Sequence, residues 1–282
     1  MQQSRMQQTL AVILTVVAAC GGAAKAGKKA LAGNQPVPGS RGAAGVRLPP
    51  INAPFDYQLG GAYPPPSGVQ IVSRDRAAAP ATGLYNICYV NGFQIQPGEL
   101  DTWQASHPDL ILKDSVGQPI VDSNWNEVLI DVSTPQKRAS VAAIVGAWID
   151  GCASAGYDAI EIDNLDSYSR SQGTLSADDC VAALGLFAER AHAQHLAIAQ
   201  KNASELVTRR GEMGTDFAVV EECNRFSECD TYRAGYGDSV LLIEYVKDNF
   251  MAGCHDYPEL SIVLRDLYLV TPGTAGYVDD GC

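Results

Sequence analysis

"GYDAIEIDNLDSY", residues 156–168, decides how the rest of the chain is read. In an extended strand alternate side chains share a face, so Ala159, Glu161 and Asp163 fall on one side and Ile160 and Ile162 on the other. Two isoleucines turned toward helices, opposite a face that ends in carboxylates, fit one strand of a parallel barrel. The C-terminal end of such a strand opens on a mouth, where this fold gathers its chemistry. On this reading Glu161 lies inside and Asp163 stands at the rim. Asp166 follows in the loop, where capping the next turn is an equally good reading.

Working outward, eight further segments are rich in β-formers: "FDYQLGG" (55–61), "VQIVSRD" (69–75), "YNICYVN" (85–91), "VLIDVS" (128–133), "LAIAQKN" (196–202), "FAVVEEC" (217–223), "SVLLIEYV" (239–246) and "SIVLRD" (261–266). Helices separate some of them. In residues 137–156, Val141, Ile144, Val145, Trp148 and Ile149 form one apolar face and Gly156 is the stop. Ser176 with Asp179 opens another helix as a capping box, buried through Val181, Leu184, Leu186, Phe187 and Ala191. Strand alternating with helix predicts α/β architecture: a single (β/α)8 barrel of the TIM type. One of the nine strands is then surplus. "FDYQLGG" is assigned as an extra N-terminal strand, with "SIVLRD" as the other choice. A doubly wound sheet is the alternative, and the chain lacks its GxGxxG turn.

In a barrel the strand ends converge on one mouth. Parity groups Phe217, Val219 and Glu221 on one face, so Glu221 becomes the partner of Asp163 from another strand. Asp75, Asp131, Asn164, Lys201, Asn202 and Glu244 stand at or just past other strand ends and are candidate substrate contacts. Tyr57, Tyr89, Trp125, Tyr168 and Tyr245 supply an aromatic rim, Tyr89 among the substrate contacts, while Trp103 and Trp125 also read as packing residues. For Asp75 and Asp131 a helix-capping role weighs equally. Rival chemistries lack their equipment. The four histidines include no HExxH pair, no GxSxG elbow occurs, and Glu161, Asp163 and Asp166 lack the EF-hand spacing. What remains is a pair of carboxylates with no metal or other cofactor, the equipment of a glycosidase.

Residues 1–20 begin polar and continue apolar for about a dozen positions, too few to span a bilayer, and read as an export signal. Two cleavage readings fit: a lipobox ending at Cys20, which would leave a lipid on that residue as the membrane link, or an ordinary site at Ala24-Lys25-Ala26. Residues 21–54 are rich in Gly, Ala and Pro without apolar period and read as a flexible linker, which leaves 55–282 for the barrel. A formal charge of -12 disfavours nucleic acid and suits neutral or cationic partners. The chain is expected to act as a monomer. Export makes disulfides the natural use of the seven later cysteines. Pairing neighbours in sequence joins Cys152 to Cys180, Cys223 to Cys229 and Cys254 to Cys282, and leaves Cys88 a buried thiol.

"CYVNGF" (88–93), "GYDAIEIDNLDSY" (156–168), "AIAQKN" (197–202), "VVEECNRFSEC" (219–229) and "LIEY" (242–245) resemble, in order, the motifs of glycoside hydrolase family 114, the endo-α-1,4-polygalactosaminidases. The resemblance implies a barrel that cleaves a galactosaminogalactan-like polysaccharide at α-1,4-linked galactosamine or N-acetylgalactosamine. It also implies Asp163 as nucleophile and Glu221 as general acid, then base, in a retaining mechanism. Three departures stand out: Val220 replaces the Asn before the second acid, Glu222 replaces the Gln after it, and Ile162 replaces the Pro before the first; of the adjacent pair Glu221 and Glu222, strand parity favours Glu221. Val220 is expected to alter substrate contacts. Two other functions remain open at this stage, a lipid-anchored carbohydrate-binding barrel without turnover and a glycosidase for another α-linked glycan.

Overall fold

A computed structural model describes residues 45–282, and among them nine strands form one sheet. The parallel part runs β1 (Phe55–Gln58), β2 (Ile71–Asp75), β3 (Tyr85–Asn91), β7 (Ala159–Asp163), β8 (Ala197–Lys201), β9 (Phe217–Glu221), β10 (Val240–Glu244) and β11 (Ser261–Arg265). These are the eight strands of a (β/α)8 barrel. A short β12 (Asp279–Gly281) adds antiparallel to β11. Where β11 meets β1 the ring closes through side chains: the Ala53 N–H donates to Ser261 Oγ at 2.9 Å, and Arg265 donates to the Tyr57 carbonyl.

The surplus strand is not the expected one. "FDYQLGG" supplies β1, paired in parallel with β2, and "VLIDVS" leaves the barrel. Its first residues form β6 (Glu127–Leu129), the centre of a three-stranded antiparallel sheet with β4 (Gln94–Ile95) and β5 (Val121–Asp122). This insert and α1 (Leu100–Ser106) occupy the connection from β3 to α2 (Pro135–Ala155). Helices α3 (Ala177–Ala193), α4 (Arg210–Met213), α5 (Cys223–Phe226), α6 (Cys229–Tyr236) and α7 (Lys247–Asp256) complete the outer layer.

Local chemistry sets the boundaries. Thr134 caps α2, Pro135 opens it, and Gly156 ends it at φ 94°. Ser176 and Asp179 make both bonds of the capping box on α3. Odd-numbered residues of the strands build the barrel interior: Phe55, Tyr57, Ile71, Ile87, Ala159, Ala199, Phe217, Val219, Ile243 and Val263. Even-numbered ones pack outward on helices. Gly92 of "CYVNGF" is where β3 leaves the sheet; a Cβ there would lie 2.5 Å from Ile162 Cγ2.

Residues 46–54 differ from the linker reading, because Val46 and Leu48 pack on the interior cluster and Ala53 is buried in it. Tyr85 donates its hydroxyl to the Arg47 carbonyl at 2.7 Å, fixing the segment further. The export signal, Cys20 and residues 21–44 lie outside the described residues.

Two disulfides match the sequence pairing, Cys223–Cys229 and Cys254–Cys282, and the third does not: Cys88 joins Cys152, and Cys180 is the buried thiol. In this fold helices run against the strands. Cys152 ends α2 and Cys180 begins α3, so they sit at opposite ends of the barrel, whereas Cys88 points outward from β3 onto α2. Replacing Cys88 by Ser is expected to cost about 2–5 kcal/mol in denaturant unfolding. Thiol labelling of the unreduced, denatured protein should mark Cys180; a mark on Cys88 or Cys152 contradicts the pairing.

Candidate active site

Three consecutive strands end on a charged, inward residue and leave the sheet through a left-handed one. These are Asp163 with Asn164 (φ 64°), Lys201 with Asn202 (φ 49°) and Glu221 with Glu222 (φ 56°). Asparagine accepts that backbone cheaply because its short amide bonds locally, while Glu222 holds it at greater cost. The repeated device delivers three charges to one level of the mouth.

Lys201 lies at the centre, buried to 2% side-chain exposure. Its Nζ is 3.2 Å from Asp163 Oδ1, 3.3 Å from Glu221 Oε2 and 3.3 Å from Glu161 Oε1, and it donates to the Tyr57 hydroxyl at 3.0 Å. Glu161 sits deeper and accepts from Tyr57 at 2.6 Å and Ser73 at 2.8 Å. Tyr89 donates to Asp163 Oδ2 at 2.7 Å. Asn202 donates to Glu221 Oε2 at 2.8 Å and accepts the Glu221 N–H at 2.9 Å, while the Tyr245 hydroxyl donates to Glu221 Oε1.

One ammonium among three carboxylates divides their proton affinities. Burial opposes charge on Asp163, but Lys201, Tyr89 and the Asn164 N–H outweigh it and hold the carboxyl below the ordinary range. At Glu161 burial wins over Lys201 and Tyr57, and the carboxyl is pushed up. Burial would lower Lys201, yet Asp163, Glu221, Tyr57 and Glu161 together keep it well above an ordinary lysine. The centre holds an ionised carboxylate at Asp163 and a second carboxyl, Glu221, within reach of the same space.

That space is a cavity of about 430 Å³ over the mouth. Asp75, Tyr89, Asp163, Asn164, Lys201, Asn202 and Glu221 line it, so most of the sequence-selected residues converge. Asp75 takes the Ala77 N–H at 2.8 Å and the Gln96 amide at 3.4 Å. Asn164 is held by Asn91 and Arg170. Asp131 does not arrive, because "VLIDVS" is not a barrel strand; it braces the start of α2 through Ser133 and Lys137. Glu244 is on the even-numbered face of β10 and turns outward, where it accepts the Asn224 N–H at 3.0 Å. Its Oε2 is buried without a partner, and burial pushes the carboxyl up to about 7.

Glu222, the neighbour of Glu221, stands off the centre and pairs with Arg225 at 2.7 Å. Val220 and Ile162 are fully buried in the outer clusters. Val220 and Ile162 therefore both face helices, and neither lines the cavity. Trp103 packs as expected, whereas Trp125 is 53% exposed at the cavity edge. The sequence reading missed Glu127, Asn124 and Arg170, which line the cavity from the insert and the turn after β7.

No curated protein sequence matches the chain. The solved structure of Ega3 from Aspergillus fumigatus, in complex with galactosamine, is similar with a TM-score of 0.67 and 21% identity, covering 84% of this chain and 98% of that one. The glycoside hydrolase domain of PelA from Pseudomonas aeruginosa is similar with a TM-score of 0.54 and 17% identity, covering 80% of this chain and 99% of that one. At these identities the likeness carries the fold. The model of glycoside-hydrolase family GH114 matches residues 37–282, the barrel with both carboxylate-bearing strands. With a paired-carboxylate mouth and that match over most of its length, the chain belongs to glycoside-hydrolase family GH114 and is a glycoside hydrolase.

Proposed function

We propose that the protein is an exported, endo-acting hydrolase of α-1,4-linked galactosamine or N-acetylgalactosamine polysaccharide that works with retention of configuration. The observation that carries the proposal is Lys201 bonded at once to Asp163 and Glu221 on the cavity floor. The nearest Asp163 and Glu221 oxygens can be no farther apart than those two distances laid end to end. That limit admits the separation of about 5–5.5 Å that retention needs and meets the inverting range of about 6.5–9.5 Å only at its lower edge. Asp163, ionised, attacks the anomeric carbon while Glu221 protonates the departing glycosidic oxygen. Glu221 then takes a proton from the water that releases the sugar.

Endo action is favoured by the shape of the mouth. The cavity continues into a second depression that shares Asn124, Trp125, Asp166, Asn202, Glu221, Tyr245 and Leu267 with it. A chain can therefore pass across the carboxylates rather than end at them. Galactosamine as substrate is supported by the sugar named with the Ega3 structure and by the acidic charge of this chain. Export is supported by the three disulfides.

The direct test is incubation with defined α-1,4-galactosaminan oligomers, products being weighed by mass spectrometry and the first-formed anomer read by proton NMR. Internal cleavage with the α-anomer first is expected; only terminal residues released, or the β-anomer first, contradicts the proposal. Trp125→Ala should raise KM about three- to tenfold with kcat little changed, the effect of losing one stacking face at the cavity edge.

A further inference from the structure

The acids of the cavity differ in what neutralises them. Asp163 and Glu221 share Lys201, and Asp122 and Asp166 share Arg170 at 2.9 and 2.8 Å. Asp75 has both oxygens occupied by an amide and a backbone N–H. Glu127 is different. Asn91 donates to its Oε2 at 2.9 Å, and the orientation of Gln94 that satisfies both its amide atoms sends a second N–H to that same oxygen at 3.0 Å. Among the described residues no donor is bonded to Oε1 and no lysine or arginine pairs with this carboxyl. It is held in place by neutral amides, directly after the turn that carries Trp125, and it lines the cavity.

A half-buried carboxylate aligned on one oxygen and open on the other is arranged to receive a cation from outside the protein. Resting on the reading that the cavity takes an amino-sugar polymer, we infer that Glu127 binds the free ammonium group of a galactosamine unit and so sets the preference for deacetylated over N-acetylated substrate. The Trp125 ring, which lines the same cavity, offers an apolar face to the same or the adjoining sugar. An acetamido group has no charge for Glu127 and adds bulk where the ammonium would sit. The titration of the residue agrees with this: burial, aided by Asp163 and Asp122 and opposed by Asn91 and Arg170, pushes its carboxyl up to about 7. An arriving ammonium would lower it again. The antiparallel insert between β3 and α2 thus has a task of its own, reading the substituent on the sugar nitrogen.

The test compares a galactosamine trisaccharide with its fully N-acetylated counterpart on wild type, E127Q and E127D, by calorimetric Kd and by kcat/KM. E127Q keeps an acceptor for Asn91, and its melting temperature should stay within about 2 °C of wild type. Wild type is expected to prefer the deacetylated trisaccharide, E127Q to lose about tenfold of that preference, and E127D to recover part of it. Equal loss on both trisaccharides, an unchanged preference in E127Q, or no binding of either by wild type overturns the inference. If wild type binds both and cleaves neither, the proposed hydrolase activity fails while the ratio of the two Kd values still decides the role of Glu127.

Discussion

Glu221→Gln and Asp163→Asn should each lower kcat by about 10³-fold or more on galactosaminan oligomers and leave the barrel folded. Both changes are isosteric: in Glu221→Gln the amide oxygen still accepts from Asn202 and the Tyr245 hydroxyl accepts from the new NH2, and in Asp163→Asn the Tyr89 hydroxyl stays within hydrogen-bond reach of the amide. Lys201 retains two carboxylates in either case. The two losses differ in kind. Without its proton donor, Glu221→Gln should still glycosylate Asp163 from a substrate with a good leaving group, and added azide should then rescue release. Asp163→Asn has no carboxylate to glycosylate, so it should accumulate no covalent intermediate with any leaving group. Identical behaviour of the two variants toward azide would refute the division of roles. Retained turnover in Asp163→Asn would remove that residue from the reaction altogether.

Lys201→Met is the second large effect, and it should appear in stability as well as activity. The wild-type lysine, itself buried on the cavity floor, faces the fully buried Glu161 and the partly buried Asp163 and Glu221, so its removal leaves these carboxylates uncompensated. A loss of about 3–5 kcal/mol near neutral pH is expected. Its pH dependence has a definite sign. Asp163 has a depressed pKa in the folded protein, so its contribution is present above the unfolded value of 3.8 and is lost as pH falls through the lower folded one. Without Lys201 burial has its way, the folded pKa values of Asp163 and Glu161 rise, and both acids favour the neutral form. The variant should be least stable at pH 8 and recover as pH falls through the raised values. For the same reason the acid limb of kcat/KM should move to higher pH. Denaturant melts at pH 5 and pH 8 measure the first effect; an equal loss at both would mean that Lys201 acts by packing alone.

Much of this centre was legible because strand parity is strict. Counting by two places Glu161 inside, Asp163 at the rim and Glu221 on the inward face of another strand, and the structure has those positions. Glu244 escaped the same logic because β10 is apolar on both faces, as strands of a covered parallel sheet are, and neither face announces itself. "VLIDVS" has the composition of a barrel strand, so Asp131 was drawn to a mouth it does not reach. Local sequence cannot distinguish a strand of the barrel from one of an antiparallel insert, since the difference lies in distant pairing. Glu127 had no periodic signal around it; only the fold brings that turn over the cavity. Cys88 was equally hidden, since its partner depends on which helix covers β3.

The central claim is that Asp163 becomes covalently attached to the sugar. A 5-fluoro-galactosaminyl fluoride slows release of such an intermediate, and peptide mapping of the inactivated enzyme locates the label. The account predicts one sugar per protein, attached at Asp163. A label on Glu221, or turnover of the reagent with no adduct and the β-anomer as first product, would contradict it.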